Sequence, residues 1–139
     1  SGTLATIAAE LEIFLKDCLK EFSRVDRVSA RAKTPESFKG KASKTEGGVP
    51  KYNNPMFQIQ DIIGARITVF YTTDIESVRK IMTRYLRNIE SQSKEPLGDS
   101  EFGYFGEHFI FLLPEDVIPD PRPEACPEFF ELQIKTLFQ

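Results

Sequence analysis

The stretch from Arg31 to Lys41, which reads RAKTPESFKGK, holds four cationic side chains in eleven residues. Arg31 and Lys33 are two residues apart, so an extended segment places both on one face. Ser37 and Lys41 are four residues apart, so a helix stacks one above the other. Cations at a strand end beside the amino end of a helix favour polyphosphate binding, because free N–H groups and positive charges converge there. The alternative is a solvated charged face, and spacing alone favours it.

Two carboxylates form a second candidate group. Asp61 begins the segment DIIGARITVFY, which is the most strand-like stretch of the sequence, and Glu131 lies on the polar face of FFELQIKT. If these strands are neighbours, the two carboxylates converge at one end of a sheet. Paired carboxylates with little His or Cys support indicate a hard cation such as Mg²⁺. The alternative, which the residues alone favour, is that Asp61 caps a strand and Glu131 is solvated.

The loop EFGYFGEH holds two more candidates. Tyr104 is flanked by Gly103 and Gly106, which leave space around its ring, as base stacking requires. An aromatic residue at a loop tip nevertheless packs into a core more often. His108 is the only histidine and directly precedes an apolar run, where a purely structural role is the alternative.

Hydrophobic periodicity predicts the elements that must position these residues. Thr3 is expected to cap a first helix whose apolar residues continue to Phe22. Thr34 and Pro35 begin a second helix that fades near Lys44, and a third helix is predicted over 72–86. Strands are predicted over 27–33, 61–71, 88–93, 108–113 and 129–136, with loops at 45–55 and 98–106 and an acidic, proline-rich excursion at 114–127. This order predicts one α/β or α+β domain around a single sheet.

Composition restricts the class of protein. The 139 residues are 40% hydrophobic and 28% charged, which is ordinary for one globular domain. No apolar run approaches the roughly 18 residues of a membrane helix, and no signal peptide stands at the front. Cys18 and Cys126 lack metal-type spacing, and Cys18 is predicted to be a small buried residue. We therefore expect a reducing, cytoplasmic location.

The net charge of −3 hides an asymmetry along the chain. Residues 24–44 carry seven Lys or Arg and two acidic residues, whereas residues 94–131 carry two Lys or Arg and ten acidic residues. A basic segment opposed by an acidic one suggests a small anionic ligand held locally, rather than a nucleic-acid surface along the whole chain.

Four stretches together resemble the synthetase domain of the RelA/SpoT family, the alarmone synthetases. RAKTPESFKGK resembles Arg-x-Lys-x-x-x-Ser-x-x-x-Lys, and DIIGARI resembles Asp-Ile-x-Gly-x-Arg-Ile. GYFGEH resembles Gly-Tyr-x-Ser-x-His, and ELQIKT is close to Glu-x-Gln-Ile-Arg-Thr. The four motifs follow the family's order, so the chain is identified as a member. Residues 1–26 are then an amino-terminal helix and residues 27–139 the synthetase domain, whose carboxyl-terminal part we expect to continue beyond Gln139.

The resemblance implies a nucleotidyltransferase-like fold, a mixed sheet flanked by helices. It also implies transfer of the β,γ-pyrophosphate of ATP to the 3′-hydroxyl of GDP or GTP, which makes (p)ppGpp, the alarmone of the stringent response. By position, the ATP-binding residues would be Arg31, Lys33, Ser37, Lys41 and Arg66. Mg²⁺ would bind to Asp61 and Glu131, which are also the catalytic residues, and Glu131 would deprotonate the acceptor. The acceptor nucleotide would be held by Tyr104, His108 and Gln133.

One geometric expectation concerns Asp61 and Arg66. An ideal strand places them on opposite faces, because one position is odd and the other even. A β-bulge at Gly64 is predicted to bring both side chains to one site.

Departures from the family pattern leave the acceptor open. Gly106 stands where the family has Ser, and Phe105 and Ser100 stand where relatives often carry basic residues. An uncharged loop beside Glu101 and Glu107 is poorly suited to the 5′-polyphosphate of GDP. The alternatives are a toxic relative that pyrophosphorylates the 3′ end of tRNA or an adenosine nucleotide, and an inactive module that only binds nucleotide. No membrane is implied, and the oligomeric state stays open, a homo-oligomer included.

Overall fold

The computed structural model describes residues 2–33, 45–46, 49–50, 62–92 and 106–137. Helices are α1 (Gly2–Cys18), α2 (Thr72–Tyr85) and a short 3₁₀-helix (Glu115–Val117). Strands are β1 (Val25–Ala32), β2 (Thr45–Glu46), β3 (Val49–Pro50), β4 (Ile63–Val69), β5 (Asn88–Gln92), β6 (Gly106–Leu112) and β7 (Phe129–Thr136).

Five of the strands form one mixed sheet in the order β1-β4-β7-β6-β5. β4 and β7 run parallel, while the pairs β1–β4, β6–β7 and β5–β6 are antiparallel. β2 and β3 form a separate antiparallel pair. The predicted single α+β domain is confirmed, with one large mixed sheet and this additional two-stranded pair.

The large sheet has an apolar face and a polar face. β7 shows the division most clearly, because its side chains alternate between half-buried and buried along the whole strand. The buried set includes Phe130, Leu132 and Ile134. Apolar residues of α1 and α2 join these side chains in one core, among them Leu11, Leu15, Val78 and Met82. Both described helices thus pack on the apolar face, which leaves the other face to polar residues.

Three phenylalanines fix β6 against β7. The ring centroids of Phe109 and Phe111 are 5.7 Å apart, and those of Phe111 and Phe130 are 5.9 Å apart. All three side chains are buried, and offset aromatic pairs of this kind stabilise beyond the area that they bury. Because successive side chains of a strand point to opposite faces, this packing directs His108 to the polar face.

Asp74 joins the turn before β1 to the start of α2. Its side chain is only 1% exposed. Oδ1 accepts a hydrogen bond from Nε of Arg24 at 2.6 Å, and Oδ2 accepts one from the backbone N–H of Tyr71 at 3.0 Å. The second bond satisfies a free N–H at a helix amino terminus, where a negative charge also interacts favourably with the helix dipole.

A carboxylate lies against the outer edge of β1, which is an end strand of the sheet. Oε1 of Glu12 in α1 accepts a hydrogen bond from the backbone N–H of Ala30 at 3.0 Å. Its Oε2 accepts one from Nζ of Lys16 at 3.1 Å. These bonds, first that from Lys16 and then that from Ala30, lower the pKa of Glu12. One outward N–H of the end strand is thereby satisfied by α1.

The predicted elements agree with the structure to within two residues for the third helix and for the strands of the large sheet. Three expectations are wrong. Thr3 does not cap the first helix, because α1 begins at Gly2, and α1 ends at Cys18 before Phe22 is reached. The segment 45–55 is not only a loop, because it contains β2 and β3. The second helix, predicted from Thr34 to Lys44, lies outside the described residues.

Cys18 is half-buried against the core rather than fully buried as predicted, whereas Cys126 is buried. Cys18 and Cys126 are both free thiols. Burial is the main factor that raises the pKa of Cys18 to about 11, so its thiol is a packing group.

In the part of the chain that the structure describes, no helix has the length and apolar character needed to cross a membrane.

We predict that Asp74→Asn lowers the free energy of unfolding by about 2 kcal/mol, because Arg24 loses a charged, buried acceptor. The amide oxygen can still accept from the N–H of Tyr71. Urea unfolding should show a lower midpoint at an unchanged m value. Glu76→Gln is the matched control, since it removes a carboxylate that pairs with Arg79 on the exposed surface of α2, where such pairs contribute little. Equal midpoints for the two variants would contradict the role given to Asp74.

Candidate functional site

The register of the sheet arranges the polar face in rows, because residues paired across neighbouring strands point to the same side. The first row consists of Arg31 in β1, Gly64 in β4, Glu131 in β7 and Ile110 in β6. The second row consists of Ser29, Arg66, Gln133 and His108. The third row consists of Arg27, Thr68, Lys135 and Gly106. Successive rows are about 6.6 Å apart and neighbouring strands about 4.8 Å apart, by the standard dimensions of a sheet.

Gly64 leaves an opening in the first row. It lies between Arg31 and Glu131, and a Cβ at this position would meet no described atom within 4 Å. The pairing of β4 is continuous through Gly64 against both neighbours, so the predicted β-bulge is wrong. The only irregularity between β1 and β4 falls between Val25 and Arg27. Among the described residues, therefore, no side chain fills the space between the cation Arg31 and the carboxylate Glu131.

His108 contacts the predicted catalytic carboxylate. Its Nδ1 lies 3.1 Å from Oε2 of Glu131. A carboxylate only accepts hydrogen bonds, so Nδ1 carries the hydrogen in this contact. The side chains are 28% and 26% exposed, so the pair is supported by protein on one side and accessible on the other. The imidazole can hold the carboxylate in one orientation.

Gln133 contacts the donor side of the predicted site. Nε of Arg66 donates a hydrogen bond to Oε1 of Gln133 at 3.2 Å. The resemblance assigns Arg66 to the donor base and Gln133 to the acceptor. The structure places their side chains in contact, so Gln133 can also fix the orientation of the Arg66 guanidinium.

Arg27, Arg66 and Lys135 form a cationic cluster in the second and third rows. Burial, followed by the charges of Arg66 and Arg27, lowers the pKa of Lys135. Neither Arg27 nor Lys135 was predicted from the sequence to be a site residue. The two-residue period of a strand could have identified them, because it places Arg27 on the same face as Arg31 and Lys135 on the same face as Glu131.

The structure brings most of the described candidates to one surface. Arg31, Arg66, Glu131, Gln133 and His108 lie on the polar face. Lys33 directly follows β1, and its N–H donates to the carbonyl of Ile62 at 2.7 Å. The remaining candidates are outside the described residues, and their roles stay predictions: Ser37, Lys41, Asp61 and Tyr104.

A metal site on the polar face would need Glu131, which is described, together with Asp61, which lies outside the described residues. Within the described residues, His, Cys, Asp and Glu side chains form no group of three or more that could hold a metal ion. Glu131 offers a hard oxygen donor of the kind that Mg²⁺ prefers. The donor chemistry therefore fits Mg²⁺ at Glu131, and the predicted site depends on Asp61 for a second carboxylate.

Comparison with solved structures identifies the fold. The chain is similar to a GTP pyrophosphokinase family protein from Streptococcus pneumoniae, with a TM-score of 0.72, 25% identity, and coverage of 94% of this chain and 64% of that one. It is also similar to small alarmone synthetase 1 from Bacillus subtilis, solved with its product pppGpp, with a TM-score of 0.69, 22% identity, and coverage of 98% and 71%. The same enzyme solved with AMPCPP gives a TM-score of 0.66, 22% identity, and coverage of 97% and 67%. The chain thus spans less than two thirds of the Streptococcus pneumoniae protein.

The mixed sheet, with the two described α-helices on its apolar face, is an α+β fold of the alarmone synthetase type. The sequence of residues 30–139 matches the region found in RelA/SpoT proteins, and the chain belongs to this family. The family expected from the four motifs is confirmed. A comparison with curated protein sequences gives no match.

We predict that Lys135→Met raises the free energy of unfolding at neutral pH by no more than about 0.5 kcal/mol, because it removes a partly buried charge beside two guanidinium groups whose repulsion is largely screened by solvent. The folded-state pKa of Lys135 is below its unfolded value, so the unfolded chain binds more protons between the two values. The free energy of unfolding of the wild type therefore rises with pH across that alkaline window as Lys135 loses its proton. The difference in stability between the variant and the wild type should shrink there.

Urea unfolding at several pH values measures this effect. Lys80→Met, which removes an exposed lysine of α2, is the control and should show neither the gain nor its loss at high pH. A Lys135→Met protein less stable than the control at neutral pH would contradict the prediction.

Proposed function

We propose that this chain transfers the β,γ-pyrophosphate of ATP to the 3′-hydroxyl of GDP or GTP, giving (p)ppGpp and AMP. The first row carries the proposal, because a cation, an open space and a carboxylate lie side by side at Arg31, Gly64 and Glu131. Membership of the RelA/SpoT family supports it. So do proteins of the same fold solved with pppGpp, a guanosine nucleotide, and with AMPCPP, an adenosine nucleotide.

ATP would lie over β1 and β4. Arg31 and Arg66 belong to adjacent strands and adjacent rows, so their guanidinium groups can hold the two faces of an adenine ring. Lys33 follows at the end of β1 and would contact the phosphates together with Ser37 and Lys41. The triphosphate would then run past Gly64, where the absence of a side chain leaves room for it.

Glu131 would accept the proton of the acceptor hydroxyl. The 3′-oxygen forms a bond to the β-phosphorus of ATP, the bond between that phosphorus and the oxygen bridging to the α-phosphate breaks, and AMP leaves. The hydrogen bond from His108 to Oε2 of Glu131 keeps the carboxylate oriented during this step. The reaction therefore depends on in-line positioning and neutralisation of charge more than on covalent chemistry.

The proposed cofactor is Mg²⁺, held by Asp61 and Glu131. When bound, it would neutralise charge on the transferring phosphate oxygens. The cationic side chains Arg31 and Lys33 contribute the same kind of neutralisation from β1.

Product identification tests the proposal. The chain is incubated with ATP labelled in the γ-phosphate, Mg²⁺ and one acceptor at a time: GDP, GTP, ATP or total tRNA. We expect labelled (p)ppGpp with GDP or GTP, together with AMP. No labelled guanosine product from a folded protein would refute the proposal. A product on tRNA alone would identify the toxic class, and ATP binding without any transfer would identify a binding module.

Glu131→Gln separates transfer from binding. We predict that it lowers kcat by about 10²- to 10⁴-fold, since the general base is lost. The dissociation constant for ATP, measured by calorimetry without acceptor, should change little. Glu128→Gln, which alters an exposed carboxylate just before β7, is the control and should retain full activity. Undiminished transfer by the Glu131 variant would remove this residue from the catalytic role.

Gly64 allows a test of the open space by size. Gly64→Ala and Gly64→Leu should fold at least as stably as the wild type, because glycine inside a strand costs about 0.5–1 kcal/mol relative to alanine. We predict that ATP binding weakens as the side chain grows, by about tenfold or more for leucine. Calorimetry and urea unfolding measure the two effects separately. A stable leucine variant with wild-type ATP affinity would show that the donor does not cross the first row.

A further inference from the structure

The cationic cluster of Arg27, Arg66 and Lys135 is not needed by the donor phosphates. Lys135 is four residues from Glu131 on the same face of β7, a separation of about 13 Å in a strand. Donor phosphates are assigned to the opposite end of the face, beyond the first row at Lys33. Among the described residues, Arg27 and Arg66 form no ion pair with a carboxylate, and the hydrogen bond from Arg66 goes to the neutral Gln133.

The geometry of the cluster suits a phosphate group. Arg27 and Lys135 belong to the same row and are separated by one strand, so their backbones lie about 9.6 Å apart. Between them lies Thr68, whose side chain is short and only 6% exposed. Two long cationic side chains can therefore converge above Thr68 on one anion. Burial, followed by the nearby charges of Arg66 and Arg27, lowers the pKa of Lys135, and an anion bound between these side chains would favour the charged form of Lys135.

The cluster lies beside the predicted acceptor region. Lys135 pairs with Gly106, the first residue of β6. Tyr104, which the family resemblance assigns to the acceptor base, comes two residues earlier in the sequence. An acceptor with its 3′-hydroxyl at Glu131 could extend its 5′ phosphates along the polar face of β7 toward the third row, because Glu131 and Lys135 lie on this same face.

We propose that Arg27 and Lys135, with Arg66 alongside, bind the 5′-di- or triphosphate of the acceptor nucleotide. This inference rests on the proposed function and specifies its acceptor. The sheet would then provide the positive charge that the loop lacks at Ser100 and Phe105. The acceptor is accordingly a free nucleotide with a 5′-polyphosphate, because the 3′ end of tRNA carries no such group.

Kinetics with GMP, GDP and GTP at saturating ATP test the assignment. In the double variant Arg27→Gln/Lys135→Gln, the KM for GDP and GTP should rise by at least about tenfold, as expected for lost charge-assisted contacts. The KM for GMP and for ATP should stay unchanged, as should kcat at saturating acceptor. Arg66 is left intact because it is also assigned to the adenine.

The matched control is Lys80→Gln/Arg84→Gln, which removes the same charge from exposed positions of α2. It should leave every KM unchanged. Urea unfolding verifies that both double variants are folded. An unchanged KM for GDP in the Arg27/Lys135 variant would overturn the proposal. An equal rise in the KM for GMP and GDP would also overturn it, because that result indicates a structural effect. A loss of transfer seen only with tRNA as acceptor would overturn it too, because that result indicates an RNA-binding surface.

Calorimetry with inorganic tripolyphosphate gives a readout that does not require turnover. Binding should be weaker in the Arg27/Lys135 variant than in the wild type and in the α2 control. If the wild type transfers pyrophosphate to no guanosine nucleotide, the proposed function fails and the acceptor assignment fails with it. If transfer to GDP occurs and tripolyphosphate binds equally to all three proteins, the proposed function stands and the anion site is refuted.

Discussion

The parallel pairing of β4 with β7 is the constraint on which the site depends. It puts Gly64 opposite Glu131 and Arg66 opposite Gln133, while Ile67 and Ile134 pair on the apolar face. A slip of one residue would turn every one of these side chains to the wrong face. The buried isoleucines therefore hold the polar residues in register, because any slip would expose them to water. The same pairing of β4 with β7 therefore positions core residues on one face of the sheet and candidate site residues on the other.

Residues assigned to the two proposed substrates are linked by side-chain contacts to β7. Arg66 donates to Gln133 between β4 and β7, and His108 contacts Glu131 between β6 and β7. The first contact links a residue assigned to ATP with one assigned to the acceptor. The second links a residue assigned to the acceptor with the proposed general base. Binding of either nucleotide would thus restrict the side chains that meet the second. Such preorganisation is what a transfer between two bound phosphate-bearing molecules requires.

The sequence was most informative where periodicity was strict. The alternation of β7 predicted both the strand and the shared face of Glu131, Gln133 and Lys135, because residue type and burial change together along it. The bulge predicted at Gly64 is wrong, because β4 pairs through Gly64 with β1 and with β7 without a shift in register. The cap predicted at Thr3 is also wrong, since the helix already includes Gly2.

Strand order could not be deduced from the sequence. Arg27 approaches Lys135 only because β4 lies between β1 and β7, and nothing local to either residue encodes that arrangement. The contact between Arg24 and Asp74 likewise joins residues fifty positions apart. The four motifs identified the family because motif order is a property of the chain. The meeting of their side chains in space is a property of the sheet.

The carboxylate of Glu12 has a consequence for how copies of this chain coexist in solution. An end strand normally offers its outward N–H groups to any other extended segment, which is the first step of sheet-to-sheet aggregation. At Ala30 that position is already taken by Glu12. An invading strand would have to replace this charged acceptor with a backbone carbonyl, which accepts a weaker hydrogen bond. Helix α1 thus occupies one hydrogen-bonding position at the edge of β1, the strand that carries Arg27 and Arg31, and disfavours pairing of this strand with another sheet.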